Sequence, residues 1–135
     1  MITKRTMLTV SIEISPGELV DRITILEIKS ERLVDLGKLA NVRKELDMLV
    51  GARDSRVTAS PELAVITKEL REVNERLWDI EDEIRECERD KDFGGTFVEL
   101  ARSVYTQNDR RAALKRAINE LLDSGLVEEK SYARY

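Results

Sequence analysis

The chain has no histidine, a single cysteine (Cys87), two prolines and few aromatic residues, 4% of 135. Without histidine, the usual proton shuttle at neutral pH and histidine-based zinc sites are excluded. Any metal site would have to be built from carboxylates, which favours magnesium or manganese. One cysteine allows no internal disulfide, which fits the cytoplasm. With no histidine to activate it, Cys87 reads as a small packing residue rather than a nucleophile. Long apolar runs are missing too. None approaches the ~20 residues that span a bilayer, and the start MITKRTMLTV lacks the apolar core of a signal peptide, so no membrane association is expected. Nor is there a surplus of positive charge. Lys+Arg number 23 against 27 Asp+Glu, a net charge of −4, so nucleic acid is not an expected partner. Ser-triad, P-loop and dinucleotide patterns are absent, and the sequence names no cofactor.

What the chain does have is charge, 37% of its residues, laid out at helical spacing. From Ser60 to Asp92 the apolar residues are Leu63, Ile66, Leu70, Val73, Leu77, Ile80, Ile84 and Cys87. Their steps alternate three and four without a miss, the narrow seam of a coiled coil. Ser60 suits the N-cap and Pro61 the first helical position. A helix over 61–90 would be roughly 45 Å long at 1.5 Å per residue. A rod with one apolar edge cannot bury it alone, so other helices must lie along it.

The rest of the chain supplies them. Ser15 and Glu18 form a capping-box pattern, Pro16 sits at N1, and Ile14 with Leu19 makes a hydrophobic staple. This predicts a helix over 16–36, stopped at Gly37. Its apolar face (Leu19, Ile23, Leu26, Leu33, with Ile25 and Ile28 beside them) is wide enough for two neighbours. A second helix over 38–53 shows Leu39, Val42, Leu46 and Leu49 at heptad spacing, and Gly51 opens the loop before Ser60. Phe93-Gly94-Gly95 turns the chain, and Thr96 and Glu99 form another capping box. Helix is expected over 96–124, with a kink near 106–109, Asn108 as a candidate cap, and Gly125 at C′ with Leu121 facing Leu126. Residues 125–135 form a tail. At the other end, Leu8, Val10, Ile12 and Ile14 alternate with Thr9, Ser11 and Glu13, the period of a half-buried strand over 7–15. No second strand follows, so its partner would be the same strand of a second subunit or the C-terminal tail. The expected architecture is a single all-α domain: an antiparallel helical bundle of coiled-coil-like hairpins with a short N-terminal β-strand, assembling as a homodimer.

Charge is distributed unevenly along the hairpin. Trp78 to Asp92 contains eight carboxylates (Asp79, Glu81, Asp82, Glu83, Glu86, Glu88, Asp90, Asp92), disfavoured at a helix C-terminus by a few tenths of a kcal/mol each. Arg102, Arg110, Arg111, Lys115 and Arg116 follow on the next helix. Counting back from Gly94-Gly95 sets Arg102 near Glu86, Tyr105 near Asp82 and Glu83, and Arg110 or Arg111 near Trp78 and Asp79. One reading is that these charges fix the hairpin's register. The other is a pocket. Asn74, Trp78, Glu81 and Arg85 share a face, as do Arg102, Tyr105 and Asp109, and as do Asp21, Ile25, Ile28 and Arg32. If those faces converge, Arg forks and a Trp would suit an anionic small molecule such as a nucleotide or sugar phosphate. Glu18-x-x-Asp21 and Glu83-x-x-Glu86 also have the i, i+3 spacing with which all-helical nucleotide pyrophosphatases hold magnesium. In a chain with 27 acids such pairs also arise by chance, and Glu18 already has a capping role.

Three stretches together resemble a family. They are PGELVDRITILEIKSERL (16–33), NERLWDIEDEIRECE (74–88), and FVELARSVYTQNDRRAALKRAINELL (97–122) with VEEKSY (127–132). They look like a small bacterial family of unknown function whose members are free-standing or attached to larger chains, some near glycosyltransferase or methyltransferase genes. The resemblance implies kinship and no particular activity. Site residues carried over from its polar stretches would be Asp21, Lys29, Arg32, Asn74, Trp78, Glu81, Asp82, Arg102, Tyr105, Asn108 and Arg111. The expected function is a non-enzymatic interaction or accessory role linked to envelope polysaccharide synthesis, with a protein partner. The alternative is small-anion binding or magnesium-dependent phosphate hydrolysis in the polar pocket.

Overall fold

A computed structural model describes residues 7–126, 129 and 131–134. Four helices follow in order: α1 (Pro16–Arg32), α2 (Leu36–Arg56), α3 (Pro61–Arg89) and α4 (Gly95–Leu121). Local chemistry starts three of them. Ser15, Asp35 and Ser60 each accept a hydrogen bond from the backbone N–H three residues on, at 3.1, 2.8 and 3.1 Å, so one otherwise orphaned donor per helix is satisfied. Pro16 and Pro61 open α1 and α3, where the missing N–H costs nothing.

The long helix is unbroken, and none of its eight seam residues is exposed. Leu63, Leu70 and Val73 form a core with Val20 of α1 and Leu114 and Ile118 of α4, flanked by Val57, Ile66, Leu77 and Leu122. α1 packs on all three other helices, which is why Leu19, Val20, Ile23, Leu26 and Ile28 are all buried around it. α3 and α4 form the main hairpin. α2 packs along α1, and its backbone approaches neither α3 nor α4.

The all-helical expectation holds among the described residues, and the strand over 7–15 does not. That segment is neither helix nor strand, and Met7, Leu8, Val10 and Ile12 are 71–92% exposed. A strand exists only as half of a pair, and the described residues contain no edge for it to pair with. The described part of the tail, 129 and 131–134, supplies none either.

Several boundaries move, each for a local reason. α1 ends at Arg32 rather than at Gly37, because Asp35 caps α2 and draws Gly37 into its first turn. α2 continues through Gly51 to Arg56. A single glycine costs a helix only about 1 kcal/mol, less than its neighbours gain. The turn after α3 uses no glycine in the left-handed region. Lys91 takes that conformation at φ 53°, with Asp92 N–H donating to Cys87 C=O (2.9 Å) and Lys91 N–H to Glu88 C=O (3.2 Å), a Schellman ending. Gly94 then caps α4 without a side-chain bond, so the Thr96–Glu99 capping box does not form. α4 ends the same way at Asp123 (φ 54°), two residues before the expected Gly125. α4 runs through 106–109 without a break. Thr106 donates its hydroxyl to Arg102 C=O at 3.0 Å, a bond made inside the helix.

Candidate functional site

The polar groups buried most deeply gather where the first turns of α1 cross α4. Gly17 donates its N–H to Asn119 Oδ1 at 2.7 Å, so a side chain of α4 satisfies an orphan donor at the start of α1. A Cβ at position 17 would lie 2.4 Å from the Lys115 carbonyl oxygen and 2.9 Å from Asn119 Oδ1, so only glycine permits this crossing. One turn on, Asp21 is fully buried. Its two carboxylate oxygens accept from Arg111 Nε (2.9 Å) and Nη2 (2.5 Å), the fork-on-carboxylate geometry in which arginine binds best. Asn74 of α3 donates to Asp21 Oδ1 (3.0 Å) and to Thr24 Oγ1 (2.9 Å), while Thr24 donates to the Asp21 carbonyl (2.7 Å). Three helices thus meet on one buried carboxylate whose partners fill its lone pairs, the condition under which a buried charge is tolerated.

Beside it, Glu18 meets Lys115 Nζ at 2.7 Å and Arg22 Nε at 3.0 Å. Burial pushes the Glu18 carboxyl up, but the hydrogen bonds from Lys115 and Arg22 outweigh it and hold the group below the usual carboxylate range. Cys87 goes the other way: burial first, then Asp92, Asp90 and neighbouring glutamates push its thiol up, so it is poorly suited to act as a nucleophile.

Two clefts flank this network, and Arg111 lines both. The smaller, about 330 Å³, has Ile25, Ile28, Leu77 and Trp78 as apolar walls and Asn74, Glu81, Asp82, Arg85 and Arg111 as polar lining. Arg32 stacks over the Trp78 ring at 5.7 Å and bonds Asp79 at 2.6 Å. The larger, about 1330 Å³, runs along α4 under the described part of the tail. Its cations are Arg111, Lys115, Arg116 and Arg134, against Asp109 and Glu129, with Tyr105, Tyr132, Asn108 and Asn119 between them.

The sequence-derived residues therefore divide. Asn74, Trp78, Glu81 and Asp82 come together in the smaller cleft with Arg111, Asp21 lies beneath it, and Arg32 covers Trp78. Tyr105 and Asn108 line the larger cleft instead. Lys29 and Arg102 line neither. Arg102 is exposed and pairs with Glu99 on its own helix at 3.7 Å, and Arg110 reaches Glu69 at 3.6 Å, so of the two candidates it is Arg111 that shares a cleft with Trp78. The register differs because the chain reverses over 90–94 and α4 already begins at Gly95. Gly17, Thr24, Lys115 and Asn119 were not anticipated. Their signal is spacing: Gly17, Asp21 and Thr24 on one face, Arg111, Lys115 and Asn119 on another, polar or small residues where a core stripe should run. The magnesium reading loses its first pair, since Glu18 and Asp21 are already engaged by cations. Among the described residues no group of three or more acids or cysteines could hold a metal. No described helix is long and apolar enough to cross a membrane.

No curated protein and no solved structure matches this chain. One family model does, over residues 10–135, described as a family of unknown function, DUF6165. With the match covering nearly all of its length, the chain belongs to this family of unknown function.

Proposed function

We propose that this protein is a non-enzymatic binding module for a small anionic molecule bearing phosphate or carboxylate groups, and that it acts as a homodimer. One observation supports the anion reading above the rest. Arg111 is held in a two-point fork by the buried carboxylate of Asp21, itself fixed by Asn74, yet remains 30% exposed between two clefts. An arginine whose orientation is fixed in advance loses little freedom on meeting an anion. The larger cleft adds Arg116 and Arg134 on its rim. Among the described residues Arg116 makes only long pairs, 3.7 Å to Glu120 and 3.6 Å to Glu129, and these can exchange for a ligand oxygen. An accessory role beside envelope polysaccharide enzymes belongs to the same reading, because sugar nucleotides have this chemistry.

The test is thermal shift with inorganic phosphate, a nucleoside diphosphate, a nucleotide sugar and citrate, at low and high salt. A ligand at 100 times its Kd stabilises by about 2.7 kcal/mol, several degrees for a chain of this size. The expected outcome is a rise for at least one phosphate-bearing compound, reduced in Arg116→Ala and Arg134→Ala. Both variants remove exposed side chains and leave the fold intact. No shift with any compound at millimolar concentration rejects the proposal.

A further inference from the structure

We infer that the exposed strip over residues 7–14 is a dimerisation strand that pairs antiparallel with the same strip of a second copy. This takes up the homodimer proposed above and is independent of the clefts. Three observations converge on it. Leu8, Val10 and Ile12 fall on one side of the strip at period two, and all three are more than 70% exposed. No N–H or carbonyl of residues 7–14 is hydrogen-bonded among the described residues, which leaves a full ladder's worth of donors and acceptors. No sheet edge exists elsewhere among those residues, and the described part of the tail does not pair with the strip.

The pattern is also self-complementary. An antiparallel register centred on Ser11 sets Leu8 opposite Ile14 and Val10 opposite Ile12, so each apolar residue of the alternating set meets another across the ribbon. Thr9 then faces Glu13, and Ser11 faces its own copy. Shifting by a single residue turns one strand's apolar side outward, so the hydrophobic pattern itself selects matching registers. Two identical strips related by a two-fold axis make a closed interface, with no edge left on the joined side. A protein whose sheet edge captured the strip would leave this chain monomeric on its own.

Sedimentation of the full chain over a wide concentration range, with cysteine cross-linking, decides the matter. The wild type should pass from 15.5 kDa to twice that mass as concentration rises. Val10→Lys should weaken dimerisation at least tenfold while leaving the helical circular dichroism unchanged, because the strip lies outside the four helices. In the proposed register the two Ser11 Cα atoms are about 4.5–5.5 Å apart, within disulfide reach. The two Thr9 residues are roughly 13 Å apart at ~3.3 Å per residue. Ser11→Cys should therefore form a covalent dimer under mild oxidation, and Thr9→Cys should not. A monomer at every concentration, a dimer indifferent to Val10→Lys, or equal cross-linking at both positions overturns the inference. Thermal shifts by anions in the Val10→Lys variant report on the clefts separately.

Discussion

Two parts of the molecule are rich in charge, and they use it in opposite ways. Around the last turns of α3 and the first of α4, carboxylates and guanidinium groups lie in the open and pair along their own helices. Glu81 with Arg85, Glu88 with Lys91 and Glu99 with Arg102 are separated by 4.0, 3.3 and 3.7 Å, and each side chain is more than half exposed. At the crossing of α1 with α4, fewer charges are present but they are buried and join different helices. Arg71 stands between the two cases. It is a partly exposed clamp from α3 to Glu31 and Glu27 of α1, and its hydrogen bonds to Glu31 and Glu75 hold it firmly in the charged state. Charge density along a sequence therefore says little about where charge matters. Water screens the dense region and leaves each pair worth a few tenths of a kcal/mol, whereas in the sparse region one partner of each pair, Asp21 or Lys115, has almost no water to fall back on.

Removing the buried carboxylate is the harshest way to break that contrast. Asp21→Ala would leave Arg111 and Asn74 facing a void, and breaking one side of a buried pair costs about 3–5 kcal/mol. The expected result is a fall in melting temperature of more than about 10 °C by calorimetry. A loss of only a degree or two would place Asp21 with the surface pairs. Next in size is Gly17→Ala. The new methyl would collide with the Lys115 carbonyl, which is backbone and cannot swing aside. Overpacking of this kind costs about 1–3 kcal/mol, and urea titration should show a lower midpoint with an unchanged slope.

Much of the frame was legible from sequence because it rests on short-range rules. Ser60-Pro61 starts a helix and the three-four spacing continues it, while Ser15-Pro16 does the same for α1. The errors fall where a local signal competes with a longer-range one. Gly37, Gly51 and Gly94-Gly95 looked like stops and turns, but Asp35, the stripe of α2 and the left-handed Lys91 prevailed. The 7–15 alternation has the period of a strand, but no described residue supplies the partner a strand needs. The site was half legible. The shared face of Asn74, Trp78, Glu81 and Arg85 on α3 does line one cleft. Arg102 was placed there by counting from the wrong point of the turn. The crossing at Gly17, Lys115 and Asn119 is only half marked: spacing shows a polar or small-residue face on each helix, but not which face a hundred residues away it meets.

Acid titration sharpens the comparison at an intermediate size. The Glu18 carboxyl is held below its ordinary value near 4.5 in the folded chain. A lowered folded value means the pair with Lys115 contributes fully above that pH, and its contribution is lost as pH falls through the lower folded value. Melting temperature measured from pH 7 to pH 3 should therefore fall less steeply below about 4.5 in Glu18→Gln than in the wild type. Identical acid limbs would mean that water already screens the Glu18–Lys115 pair as it does those at the tip.

The smallest expected effect is at Arg102. It is on the basic stretch that faces the acidic end of α3 in sequence, and a site built from that opposition would depend on it. In the structure its guanidinium lies 3.7 Å from Glu99, three residues back, and both side chains are mostly in water. An i, i+3 pair of this kind contributes about 0.2–0.5 kcal/mol, and the alanine that replaces it is a better helix former. The two terms nearly cancel, so Arg102→Ala should leave the melting temperature within about 2 °C of the wild type and any anion-induced shift undiminished. Loss of the shift with the fold preserved would move the binding surface to the tip of the hairpin. Loss of the fold would show that the exposed charges hold the register after all.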